Sequence, residues 1–299
     1  MLYRHNSSPF GRTATSALSI YSYLSNDRAS RFREDVYGIP QFVSKFINVR
    51  SRHVLVSGVP CTWYIPEDAP DNRAVLYLHG GAYVGGRSTL PFESSVIAAR
   101  LRLRVLAVDY RLAPEHPYPA ALTDALAAYS SLFSEGYQSE RIAVIGDSAG
   151  GGLALALTEL LRDKQMPLPS SLTMLSPWLD LRCDEGEYKS FTRDPLLVAS
   201  SLRESAVYYS RAAERSDRYI SPLFGSAANL PPTLIIAGER ELLLTDSVRF
   251  SQKLSEAGSP FELHLWRDMF HVFPITAPFL PESKEAFSVA QEYISSHFQ

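Results

Sequence analysis

RIAVIGDSAGGGLALALTELLRD, residues 141–163, is the stretch that decides how this chain folds. Its opening run, 141–145, is short, apolar and rich in β-branched residues, which suits a strand covered on both faces of a parallel sheet. Its closing run, 149–163, places Leu153, Leu157, Leu160 and Leu161 on one face of a helix. Between them, Gly146-Asp147-Ser148-Ala149-Gly150 matches G-x-S-x-G in the strand–turn–helix context that this pattern requires. Such a sharp turn strains its central residue and admits only small neighbours two positions away, hence Gly146 and Gly150. The turn lifts the Ser148 hydroxyl clear of the strand end. It also sets the Ala149 N–H at a helix N-terminus, where negative charge is favoured.

The same alternation continues on both sides. Strand-like runs fall at 73–78, 103–108, 171–175, 233–237 and 261–266, and helical runs at 120–134, 244–257 and 284–297. Alternating strands and helices imply βαβ crossovers and a three-layer α/β domain. Residues 45–49, 53–57 and 60–65 read as an antiparallel start with Gly58 in the turn. Residues 1–44 are expected to be helical or irregular. Residues 180–232 mix charge, Pro195, Pro222 and a helical patch near 200–212. Both regions are expected as additions over the functional edge of the sheet, where lids form. The expected organisation is an N-terminal cap segment, 1–44, and a catalytic domain, 45–299, with a cap insertion at about 180–215.

A second glycine-rich stretch, His79-Gly80-Gly81-Ala82-Tyr83-Val84-Gly85-Gly86, directly follows strand 73–78. Consecutive glycines let backbone N–H groups approach a substrate without side chains in the way, as an oxyanion hole requires. Gly80, Gly81 and Ala149 are the expected donors. A phosphate loop is disfavoured, because the stretch lacks both G-x-G-x-x-G and a P-loop lysine. His79 is expected to shape the loop rather than react.

A serine hydroxyl needs a base, and the base an orienting acid. Three histidines follow Ser148: His264 inside a strand, His297 near the end of the last helix, and His271 just past the strand 261–266. Only His271 sits at the right edge. The stretch after strand 233–237 offers Glu239, Glu241 and Asp246. Glu241 is the expected acid and Asp246 its rival. Asp246 suits the first turn of the next helix, where it complements the dipole, and Glu239 suits the surface.

The motifs HGGAYVGG (79–86), VDYRLAPEHPYPAAL (108–122), GDSAGGGLA (146–154), YISPLFG (219–225) and HVFP (271–274) together resemble the bacterial hormone-sensitive-lipase-like esterases. The resemblance runs over most of 45–299 and keeps the family's order. It implies an α/β-hydrolase fold with a mostly parallel eight-stranded sheet flanked by helices, and a helical cap. It also implies hydrolysis of short-acyl esters with water and without a cofactor, and it is compatible with a homodimer; an aromatic-walled pocket under a cap suits small esters or lactones. The family most often has Asp where Glu241 stands, although such a triad accepts either carboxylate. Tyr83 and Trp178 are expected either to line the substrate pocket or to be packed. Asp109, Glu115 and His116 are expected to hold the oxyanion loop through buried hydrogen bonds, and Asp147 to be structural. Two other readings use the same fold. One is a ligand receptor of the plant gibberellin-receptor type, in which the histidine is replaced; the other is an amidase or peptidase.

Composition removes other classes. Lys and Arg (29) nearly balance Asp and Glu (32) for a net charge of −3, so nothing draws the chain to nucleic acid or an anionic membrane. Cys61 and Cys183 are too few for a disulfide framework and lack metal-ligand spacing, so no metal is expected. The apolar part of residues 1–24 is broken by Ser and Tyr and is too short for a signal-peptide core. No segment approaches the roughly 18 apolar residues of a membrane helix. The cytoplasm is the expected location.

Overall fold

The computed structural model describes residues 1–24, 48–183 and 194–299, with 17–24 as backbone only. In chain order the main elements are β1 (Leu2–His5), α1 (Pro9–Leu24), β2 (Val49–Val56), β3 (Val59–Pro66), β4 (Ala74–Leu78), α2 (Leu90–Leu101), β5 (Arg104–Val108), α3 (Ala120–Ser134), β6 (Ile142–Asp147), α4 (Ala149–Asp163), β7 (Ser171–Leu175), α5 (Ala199–Ser210), β8 (Thr233–Gly238), α6 (Leu244–Glu256), β9 (Phe261–Trp266), α7 (Phe273–Thr276) and α8 (Pro281–His297). The strands form one sheet in the order β1-β9-β8-β7-β6-β4-β5-β3-β2. Pairing is parallel from β1 to β5 across that order and antiparallel at β3 and β2. The β2–β3 hairpin turns on Ser57 and Gly58, both at positive φ, the requirement of a type I′ turn.

The apolar runs behave as doubly covered strands must. Along β4, Leu76 and Leu78 face the layer of α3, α4 and α6, while Val75 and Tyr77 face α2 and α8; all four are fully buried. On α4, Leu153, Leu157 and Leu161 are fully buried against the sheet, and Leu160 on the rim of that face is only half-buried.

The sequence reading needs three corrections. The sheet has nine strands among the described residues, not eight, because Leu2–His5 pairs with β9 from Leu2↔Leu263 to His5↔Trp266. Residues 2–5 therefore belong to the sheet; four residues are too few to show a period, and their partners lie at the far end of the chain. Residues 49–56 form one strand where two short ones were expected. The third correction is α2, which the sequence reading did not contain. Leu90, Glu93, Ser94, Val96, Ile97 and Leu101 are all buried, so α2 lacks the polar-to-apolar stripe that reveals a helix. Helix α5 occupies the expected helical patch, but 25–47 and 184–193, which hold much of the expected cap, lie outside the described residues.

Leu157→Ala should destabilise the protein by about 2–5 kcal/mol, the usual cost of emptying a buried leucine site. Leu160→Ala should cost markedly less. Urea denaturation midpoints compare the two, and equal losses would show that α4 packs differently.

Candidate active site

Ser148 joins β6 to α4 with φ 52° and ψ −122°, a conformation that strains an L-residue. Its neighbours make the turn possible: a Cβ on Gly146 would strike the Gly150 carbonyl, and one on Gly150 would strike the carbonyls of Leu78 and His79. Backbone hydrogen bonds lock the turn. Ser148 N–H donates to the Leu175 carbonyl at 2.9 Å, and Trp178 N–H donates to the Ser148 carbonyl at 2.9 Å.

His271 follows β9 and Glu241 follows β8, at the same C-terminal rim of the parallel strands. The rim brings the three side chains together. His271 Nε2 lies 2.9 Å from Ser148 Oγ, and His271 Nδ1 lies 3.3 Å from Glu241 Oε2. Exposure is 4% for Ser148, 2% for His271 and 0% for Glu241, so the contacts are shielded from bulk water. The other carboxylate oxygen, Oε1, accepts from Gly238 N–H at 2.5 Å and Ser176 Oγ at 2.7 Å. Ser176 Oγ in turn accepts from Val272 N–H at 3.0 Å, so this one hydroxyl ties the acid to the loop carrying the histidine. Ser176 ends a parallel strand at the active rim; that position was the signal that could have found it.

Burial disfavours an imidazolium at His271. The hydrogen bond and charge of Glu241, with the charges of Asp194 and Asp147 behind, outweigh it and hold His271 above its ordinary value. Burial raises the Glu241 carboxyl, against the opposing pull of His271, Ser176 and the Gly238 amide.

Asp246 faces elsewhere. Its Oδ2 accepts from the N–H groups of Leu179 and Asp180 at 2.7 and 2.9 Å, which pins the loop after β7. Burial raises its carboxyl to about 7. Glu239 pairs with Arg4 at the surface, 3.7 Å away. Asp194 also lies near the site. Its two oxygens accept from Leu196, Leu197 and Leu242 N–H at 2.8, 2.9 and 2.7 Å, linking the chain before α5 to the loop of Glu241.

In the glycine-rich loop the donor set differs from expectation. The Gly80 N–H is spent on Asp147 Oδ1 at 2.9 Å, so Gly80 is not an open donor. The residue beside the nucleophile lies directly under the loop, where a Cβ on Gly80 would strike Asp147 Oδ2. Among the described residues, the N–H groups of Gly81 and of the next residue, Ala82, meet no acceptor, and neither does that of Ala149. Positive φ at Gly81 (106°), Ala82 (54°) and Tyr83 (64°) turns this stretch tightly.

Tyr83 and Trp178 are 1% and 0% exposed. Tyr83 stacks on Tyr209 with centroids 3.8 Å apart, so its surface is spent on packing rather than on an open pocket wall. Trp178 donates through its indole to the Asp180 carbonyl at 3.2 Å. Glu115 and His116 are exposed, and among the described residues their side chains meet no hydrogen-bond partner. The second motif is held instead by Arg111 on buried Asp124, by Arg87 on Asp109 at 2.6 Å, and by Ala113 N–H on the Tyr83 carbonyl. His79 is structural: buried and stacked on Tyr110, with burial lowering its imidazole to about 4. Cys61 and Cys183 are buried and unpaired, and burial pushes both thiols up to about 12. Among the described residues no cluster suits a metal ion, and no helix is long and apolar enough to cross a membrane.

Known proteins share this architecture. The family profile of the alpha/beta hydrolase fold matches residues 75–275. An acetyl-hydrolase of Streptomyces hygroscopicus is 37% identical over 243 residues, 81% of each chain. An esterase of Acinetobacter venetianus is 35% identical over 237 residues, 78% of each. The crystal structure of an esterase from the bacterial hormone-sensitive lipase family superposes with a TM-score of 0.86 at 32% identity, over 98% of this chain and 100% of that one. Sheet, serine turn and sequence relationship converge: the chain belongs to the alpha/beta hydrolase fold family, among the bacterial hormone-sensitive-lipase-like esterases, and is a carboxylic ester hydrolase.

Proposed function

We propose that this enzyme hydrolyses short-acyl carboxylic esters, and lactones that present the same carbonyl, through an acyl-enzyme on Ser148. The observation that carries the reading is the 2.9 Å contact between Ser148 Oγ and His271 Nε2 at a strained turn. The acetyl-hydrolase relative supports a small acyl group. His271 accepts the Ser148 proton as Oγ attacks the ester carbonyl carbon. Its Nδ1–H donates to Glu241, which fixes the tautomer and stabilises the imidazolium. The oxyanion is received by the N–H groups of Gly81, Ala82 and Ala149. The imidazolium then protonates the departing alcohol. Water attacks the acyl-serine with its proton passing to Nε2, and that proton returns to Ser148 Oγ as the acid leaves. The unpaired cysteines suit a reducing compartment, and we place the enzyme in the cytoplasm.

Ser148→Ala should lower kcat by about 10⁶-fold, as single losses of such nucleophiles do; near-normal turnover would refute the assignment. Glu241→Gln should lower kcat by about 10³–10⁴-fold, and Asp246→Asn far less. The reverse order would make Asp246 the acid.

The base must be neutral, so kcat/KM should fall as pH drops through the His271 titration. Glu241 and its neighbours raise that titration, so the acid limb should lie above the ordinary histidine value and move to lower pH in Glu241→Gln. A limb that stays put would mean another group controls it.

Turnover of p-nitrophenyl esters but not of matched anilides, blocked by an organophosphate, is the expected profile. Comparable anilide turnover would indicate an amidase, and binding without turnover a receptor.

A further inference from the structure

A line of buried oxygen atoms runs from α2 to the loop beside the nucleophile. Tyr77 Oη lies 3.0 Å from Glu93 Oε2 and 2.7 Å from Asp147 Oδ1, and the same Asp147 oxygen accepts the Gly80 N–H at 2.9 Å. Glu93 is 3% exposed, and Tyr77 and Asp147 are fully buried. No cation pairs with either carboxylate in these contacts.

A proton count fixes the state of this line. Tyr77 has one hydroxyl proton and can donate to only one carboxylate. With both acids ionised, one of the two contacts would set a carboxylate oxygen against a lone pair in a buried site, which is strongly unfavourable. One additional proton makes every contact a hydrogen bond. Burial raises the Asp147 carboxyl as well, to about 6, but Asp147 is the better anion of the two, because it receives Tyr77 and the Gly80 amide and feels the charge of His271. Glu93 is raised by burial first and by the charge of Asp147 second, so the extra proton belongs to Glu93.

We propose that Glu93 and Tyr77 are positioning residues for the oxyanion loop: protonated Glu93 donates to Tyr77, Tyr77 donates to Asp147, and Asp147 holds the Gly80 amide so that the next two amides face the substrate. The proposal rests on the reading of Gly81, Ala82 and Ala149 as oxyanion donors. No side chain in the chain of contacts touches the reacting atoms. Its effect passes through the backbone of Gly80, which packs so close to the nucleophile that a Cβ added to it would come within 3.2 Å of Ser148 Cβ.

The surroundings contain little else that could take the proton. Tyr110, after β5, feels the charges of both Glu93 and Asp147, but its hydroxyl donates to the His79 carbonyl at 2.6 Å. Thr89, on the turn before α2, can hydrogen-bond Glu93, but its hydroxyl donates to the Gly86 carbonyl at 2.9 Å. On the far side the charge of His271 acts on Asp147. When Glu93 loses its proton, Tyr77 is left between two anions with one proton to share, and the link to Gly80 slackens. Ester turnover should then fall at alkaline pH, where His271 is neutral and competent.

The test uses the full chain and its Glu93→Gln, Glu93→Ala and Tyr77→Phe variants. Turnover of p-nitrophenyl acetate is followed from acid to alkaline pH, with organophosphate titration to count intact sites. Glu93→Ala and Tyr77→Phe should lose about tenfold or more in kcat per intact site with KM little changed, part of the about 10²–10³ that removal of one oxyanion donor costs. Glu93→Gln can still donate to Tyr77 but cannot titrate; it should restore kcat relative to Glu93→Ala and abolish the alkaline fall of the parent enzyme. An alkaline fall that persists in Glu93→Gln, or an unchanged kcat in Glu93→Ala, would overturn the proposal. If Glu93→Ala does not fold, the profile of Glu93→Gln decides alone. Absence of ester turnover in the parent enzyme would instead defeat the esterase reading, so the two failures are separable.

Discussion

The backbone turn at Ser148 is the constraint from which the rest of the site follows. A residue held at φ 52° and ψ −122° carries strain of about 1–3 kcal/mol. Such a conformation persists only where the surroundings over-determine it. Here β6 lies inside the sheet between β4 and β7, and α4 is packed on it through leucines without exposed surface. The strands on either side hold the turn from both directions, β7 through the Leu175 carbonyl and β4 through the close approach of its end to Gly150. The strain therefore costs a small part of what core burial supplies, and in exchange the hydroxyl is presented at one rim in one orientation.

Two buried acids near that rim show how environment separates roles. Glu241 and Asp246 are five positions apart, and both are shielded from water. Asp246 receives two backbone amides and serves the loop after β7. Glu241 has one oxygen committed to Gly238 and Ser176, leaving the other aimed at His271. That anchoring limits the freedom of the Glu241 side chain. The longer side chain is fixed by its far oxygen, so the added methylene does not add freedom.

The glycine-rich loop is organised from below rather than from its own sequence. Asp147 takes the first amide of the loop, and the tight turn that follows leaves the next two without acceptors among the described residues. The same side chain faces Tyr77 and, through it, a helix on the other side of the sheet. Loop, nucleophile turn and α2 are thus one polar unit within an otherwise apolar interior. Most polar atoms of this unit are paired, while Asp147 Oδ2 and His79 Nε2 meet no partner among the described residues. The second motif adds a separate brace through Arg111 and Asp124.

Much of this was legible in the residues themselves. The apolar runs of β4 to β9, the helices α3, α4, α6 and α8, and the Ser148 turn each announce themselves locally, because a period of two or 3.6 and a pair of glycines are short-range signals. His271 followed from its place after a strand. Other features needed the folded chain. β1 is four residues long and finds its partner about 260 positions away, and α2 is buried over most of its surface and has no clear stripe to read. The Gly80 amide looks free in sequence and is not, because Asp147 beneath it is a neighbour only in three dimensions. The tie from Glu241 through Ser176 to the loop of His271, and the contacts of Tyr77 with Glu93 and Asp147, likewise join residues that are neighbours only in three dimensions. Local periodicity specifies elements; the partner of a buried polar atom is chosen by how those elements pack.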